Sequence, residues 1–134
     1  MKKVLIILLL SLVSTYSSAQ SQWDMTMESD KAYKKADKEL GIVYKKILTK
    51  YAKNTSFIKA LRESERLWIK FRLAEINMRF PGDTGNYGSV YPMCVNLVAE
   101  EITKNRTKQL KRWLNPVNDG DVCNGSLGAT IGDE

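Results

Sequence analysis

The chain contains no histidine. That absence removes the commonest general base, the usual serine and cysteine triads and most zinc sites. Two cysteines, Cys94 and Cys123, lie 29 positions apart and match no metal-ligand spacing. Paired carboxylates could still do acid–base work on a glycoside. The nearest pairs are Glu63 with Glu65 and Glu100 with Glu101. Residues one or two apart on a helix point to different faces, so these pairs read as solvated helix surface. The glycines of residues 82–88 are no phosphate cradle, because the stretch lacks a lysine and follows a helical pattern instead of a strand. The sequence therefore nominates no catalytic residue, no metal site and no cofactor.

Other polar residues carry more information. Asp37 shares a helix face with Tyr33, Ala36, Leu40 and Tyr44; Arg72 lies beside Trp68, Phe71 and Glu75; Arg106 interrupts an apolar stripe between Ile102 and Leu110. A lone buried charge is costly, and pairing is the usual remedy. The expectation is that Asp37 and Glu75 meet Arg72 and Arg106 between helices and fix their register. Basic residues line one face through residues 31–50 and recur at Lys104, Arg106, Lys108, Lys111 and Arg112. No aromatic platform interleaves with them, so a solvated face is the better reading and nucleic acid is not expected as a partner.

Three segments with a helical period must position these groups. Tyr33, Ala36, Leu40, Val43, Tyr44, Ile47, Leu48 and Tyr51 recur at threes and fours, the spacing of one helix face. That helix is expected to start near Trp23 or Asp24 and end around Lys53, with Gly41 admitting a close neighbour. The capping run Asn54-Thr55-Ser56 opens a second helix. Its stripe is Phe57, Ala60, Leu61, Ser64, Leu67, Trp68, Phe71, Ala74, Glu75 and Met78. So short a connection makes the two helices antiparallel neighbours. A proline and three glycines in residues 81–89 then mark a loop. A third stripe comes next: Cys94, Leu97, Val98, Ile102, Leu110, Trp113 and Leu114, stopped by Asn115-Pro116. The fold class expected is all-α, a small three-helix bundle with a glycine-rich loop between helices 2 and 3 and a flexible C-terminal tail.

The N-terminus reads as a leader. Lys2 and Lys3 precede an apolar run from Val4 to Val13, and Ser17-Ser18-Ala19 resembles a signal-peptidase site. The run is about half the roughly 20 residues that a membrane-spanning helix needs, so no span is expected in the mature chain. The expected division is residues 1–19 as signal peptide, 20–114 as the helical domain and 115–134 as a polar tail, in an exported, periplasmic or secreted protein. Of 21 basic and 15 acidic residues, removing Lys2 and Lys3 leaves 19 against 15, a net charge of +4. In an oxidising compartment Cys94 and Cys123 would usually close a disulfide, pinning the tail to the start of the third helix. Two thiols or an intermolecular bridge are the alternatives.

Several strings, taken in order, resemble the LprI-type lysozyme-inhibitor family. Residues 36–44, Ala-Asp-Lys-Glu-Leu-Gly-Ile-Val-Tyr, are similar to its opening "aD-x-x-L-N-x-x-Y" signature. Residues 65–75 resemble its "Q-R-x-W-x-x-[FY]-R-D-A-E" segment, Gly88-Ser89 its glycine-serine loop, and residues 103–110 its "T-x-x-R-x-x-x-L". The resemblance covers roughly residues 32–114. Ile76 and Val98 stand where the family usually has cysteines, Glu65 where glutamine is common and Leu73 where aspartate is common. The resemblance implies a binding protein, not an enzyme, whose partner is lysozyme and whose task is to protect a bacterial cell wall. The 85–91 loop is the natural element to block a cleft, with Asn86, Tyr87, Gly88, Ser89 and Tyr91 as the expected partner-binding residues. The alternative is a non-enzymatic envelope protein that binds anionic wall or lipid components. The oligomeric state is not fixed by the sequence.

Overall fold

No glycine or proline precedes Gly41, so nothing in the first forty residues interrupts a helix once it starts. In a computed structural model, the backbone is described for residues 2–115 and 122–127, and side chains from Gln20 onward. The first helix, α1, runs Lys2–Lys50. It begins well upstream of the expected start near Trp23, because the apolar run and its serine-rich spacer are as compatible with helix as the residues after Trp23. α2 spans Thr55–Arg79, a 3-10 segment covers Thr84–Val90, α3 spans Tyr91–Lys111, and a second 3-10 segment covers Val122–Leu127. The described residues contain no strand, and the fold is the all-α bundle the periodicity implies. The side chains of residues 1–19, which hold the expected leader, and residues 116–121 and 128–134 of the tail lie outside the described residues.

The helices run up, down and up. Tyr51 and Phe57 pack together at the α1–α2 turn with ring centroids 4.5 Å apart. Asn54 caps α2, its side chain accepting the Phe57 N–H at 2.9 Å. α3 then runs parallel to α1: Asn96 Nδ2 donates to Ser29 Oγ at 3.2 Å near its start, and Tyr51 Oη donates to the Trp113 carbonyl at 3.0 Å just beyond its end.

The two seams of α1 differ in kind. Toward α3 it buries Ala36, Leu40, Val43 and Ile47 against Ala99, Thr103, Thr107 and Leu110. Ala99, Thr103 and Thr107 recur every four residues, and such small side chains let two backbones approach. The buried Thr107 hydroxyl donates to the Thr103 carbonyl at 3.0 Å, so burying it leaves no polar group unsatisfied. The third stripe expected from sequence is therefore rotated: the threonines face inward while Leu97 faces solvent. α2 contributes only Leu61 to the fully buried core. Gly41 admits no close neighbour either. A methyl there would meet nothing within 4 Å, because the residue borders an open cleft shared with Leu40, Tyr44, Glu65, Trp68 and Ile69.

The cysteines are not joined. Cys94 is half-buried in the first turn of α3, and no disulfide links it to Cys123 in the second 3-10 segment. That segment is instead held at the other end of α3, where Trp113 Nε1 donates to Ser126 Oγ at 3.0 Å. From Cys94 to the end of α3 is about 25 Å at 1.5 Å per residue. A disulfide needs Cα atoms within about 7 Å, so the expected tether to the start of α3 is replaced by a contact at its end.

Candidate functional site

Two clusters of sequence-nominated residues take shape, one on the surface and one inside. The surface cluster is the 3-10 segment between α2 and α3. Asp83 opens it, its carboxylate accepting the Gly85 N–H at 2.9 Å. Gly88 turns it with φ +65° and ψ −165°, a conformation that side chains resist. Phe80, Tyr87 and Tyr91 close on one another, with centroids 5.4, 5.6 and 5.8 Å apart and Phe80 edge-on to both tyrosines. Tyr87 Oη donates to the Pro81 carbonyl at 2.9 Å. Ser89 Oγ lies 3.1 Å from Gln22 Oε1, which ties the loop to α1.

This geometry divides the nominated loop residues. Tyr87 and Tyr91 are half-buried, with their rings used to hold the loop's shape. Asn86, Gly88 and Ser89 are exposed, and Val90 joins them at 41% exposure. The presented surface is thus small, uncharged beyond the exposed Asp83 cap, and held in shape before binding, which lowers the ordering cost of binding. Sequence reasoning misses Phe80, Gln22 and the Pro81 carbonyl. The aromatic spacing of Phe80, Tyr87 and Tyr91 is the available signal for the first; nothing local announces Gln22, which arrives from 67 positions upstream.

The inner cluster centres on Trp68. The Arg72 guanidinium carbon stands 4.8 Å from its ring centroid and that of Arg106 5.9 Å, so the indole faces two cations. Arg72 donates to Asp37 at 2.8 Å and to Thr103 Oγ1 at 3.1 Å, which links all three helices through one side chain. Arg106 donates from Nε and Nη2 to Glu65 Oε2 at 3.1 and 3.0 Å, and from Nη2 to Ser64 Oγ at 2.9 Å. The pairing of Arg72 with Asp37 joins two of the nominated residues, though Asp37 sits at the rim of the cluster with its side chain 52% exposed. The partner of Arg106 is Glu65, not the expected Glu75. Glu75 lines the shallow cleft beside Arg106 without an ion pair there. One position explains the difference: Glu65 lies one helical turn before Trp68 on the side that Arg106 reaches across.

Outside these clusters, Glu39 is held below the usual carboxylate range by its hydrogen bond to Lys111 at 2.6 Å, and Glu63 likewise by Arg66. Among the described residues no three histidine, cysteine, aspartate or glutamate side chains converge as a metal site would require. The three-helix scaffold, the charged layer between its helices and the hydrogen-bonded loop at one end together define a helical protein whose distinctive surface is a loop.

Similarity to known proteins gives that class a family. Residues 14–110 match the model of the family described as lysozyme inhibitor LprI, and the chain belongs to it. It is also similar to an uncharacterised protein of Rhizobium meliloti (strain 1021), 29% identical over 107 residues that cover 72% of this chain and 76% of that one. No solved structure matches the chain.

Proposed function

We propose that the protein is exported and inhibits a lysozyme by binding it, with no chemistry of its own. The observation that carries this reading is the family match over residues 14–110, which spans the inner charged layer and the loop together. Export is supported by the leader-like N-terminus. No helix among the described residues is long and apolar enough to cross a membrane.

The loop is the element to place in a cleft. Its exposed groups, Asn86, Gly88, Ser89 and Val90, carry no charge, which suits a partner that is itself basic and would gain no steering from a +4 inhibitor. Titrating purified protein into a cell-wall lysis assay tests the reading. The parent should slow lysis, and Asn86→Ala with Ser89→Ala should weaken inhibition at least tenfold while leaving the helical signal intact. Tyr87→Phe, which removes only the bond to Pro81, should weaken it less. A folded parent that inhibits no lysozyme type defeats the proposal. Inhibition untouched by the loop substitutions keeps the function and moves the surface.

One observation favours the anionic-envelope reading as a second. Asp37 and Glu39 lean toward Arg72 and Lys111, leaving Lys31, Lys35, Lys38, Lys45 and Lys46 on the outer side of α1. Binding to an anionic surface through these lysines should collapse as salt rises, whereas a loop in a cleft should weaken little.

A further inference from the structure

The apolar stripe of α2 is wider than the interior can use. Leu61 and Trp68 face the core, yet Leu67, Phe71 and Met78 remain 51, 53 and 66% exposed. Ala60 is exposed on the same face, and Ser64 lies at its α3 edge, exposed although its hydroxyl accepts from Arg106. Read along the chain, positions 60, 64, 67, 71, 74 and 78 step by four, three, four, three and four. That is the seam of a helix made to pack against another helix; α3 borders it at Ser64 and Phe71, and no helix among the described residues covers Leu67 or Met78.

We propose that this outer seam pairs with the same seam of a second copy of the chain, antiparallel about a two-fold axis near residues 65–66. Size and charge both select that occupant. In this register Ala60 faces the partner's Phe71 and Ser64 faces the partner's Leu67, and symmetry repeats both contacts, so each of four layers sets a small residue against a large one, while Ala74 and Met78 lie beyond the paired stretch. A parallel pair would instead stack Phe71 on Phe71 and Ala60 on Ala60, with crowding in one layer and a void in another. On the flank of the seam, Glu63 faces the partner's Lys70, and Lys70 faces the partner's Glu63. Glu63 bonds Arg66 in its own helix, 2.7 Å from Nε, and Lys70 forms no ion pair within the described residues. Opposite charges meet twice, and a self-complementary patch is what an isologous dimer requires. A seam of four layers lies at the small end of protein interfaces, so the dimer forms in a concentration-dependent way. The inference does not rest on lysozyme binding.

Sedimentation equilibrium over a concentration series tests it, with circular dichroism as the folding control. The parent's weight-average mass should climb toward twice that of the chain. Leu67→Asp with Phe71→Asp should remain monomeric at every concentration with unchanged helicity. Glu63→Lys alone and Lys70→Glu alone should each weaken association about tenfold or more, by setting like charges against each other. The double reversal Glu63→Lys, Lys70→Glu should restore it, since opposite charges meet again. A parent that stays monomeric throughout overturns the proposal. So does association that ignores the charge reversals, and so does a monomeric parent whose binding to a lysozyme is lost in the Leu67→Asp, Phe71→Asp variant, since the seam would then belong to that partner.

Discussion

The seam between α1 and α3 is made of small and aliphatic side chains, whereas α2, beyond Leu61 and Phe57 near its start, is joined to both through an indole and two guanidinium groups. Ile47, Thr103 and Leu110 are essentially sealed from solvent on the first seam. On the second, the side chains of Arg106 and Glu65 keep 13 and 12% of their exposure, and an open cleft runs beside Gly41. One seam gains stability from burial and close approach. The other gains definition, because hydrogen-bonded charges accept few alternative arrangements but add little net stability. The α1–α3 pair should therefore hold the fold up, and the charged layer should decide where α2, and with it the start of the loop, comes to rest.

The largest expected effect lies on the apolar seam. Leu110→Ala removes a fully buried side chain between two closely packed backbones that cannot collapse into the gap, and should cost about 3–4 kcal/mol of unfolding free energy. Chemical denaturation measures it, and a loss below about 1 kcal/mol would show that the seam is looser than its burial implies. Arg106→Met should cost somewhat less, about 2–3 kcal/mol, mostly by stranding the Glu65 carboxylate. Removing both charges sharpens the comparison. Arg106→Met with Glu65→Leu should recover most of the loss while weakening control over α2. Hydrogen exchange in α2 should then rise although global stability has returned. A double variant no more stable than the single one would mean that the ion pair itself, and not its orphaned half, supplies the stability.

These two seams are legible in the sequence to different degrees. The stripe on α1 is readable because its buried residues, from Ala36 to Tyr51, are apolar and strictly periodic. The matching face of α3 is hard to read because Thr103 and Thr107 count as polar. Their hydroxyls are satisfied within the fold, one by a backbone carbonyl and one by Arg72, and a sequence cannot display such a partner. Asp37 and Arg72 stand out as charges on apolar stripes. Glu65 is hidden behind Glu75 because Glu75 falls on the apolar stripe of α2 while Glu65 lies beside it, and only the reach of Arg106 across from α3 selects Glu65. The loop's existence is evident from its glycines. Its shape depends on Gln22 and Phe80, which join it through space.

The smallest effect concerns the end of the bundle where the two seams meet. Tyr51 is buried at the α1–α2 turn, and its hydroxyl donates to the Trp113 carbonyl. Lys50 Nζ reaches the same carbonyl at 3.2 Å, so Tyr51→Phe leaves that acceptor with a donor. The cost at neutral pH should fall near about 0.5 kcal/mol, the low end for a lost hydrogen bond. Burial raises the Tyr51 pKa above its ordinary 10.0. A group whose pKa is raised by folding contributes its stability in full below the unfolded value and loses it as pH climbs through the folded one. Parent and Tyr51→Phe should therefore keep a constant difference from about pH 6 to about pH 9 and converge above about pH 10, as the phenol ionises in the unfolded chain and the folded state must either keep its proton or break the bond. Thermal melts at steps of about half a pH unit resolve this. Curves that stay parallel through about pH 11 would mean that the phenol is wetter than its place in the turn implies, and that the boundary between the sealed seam and the open one lies on the α3 side of Tyr51.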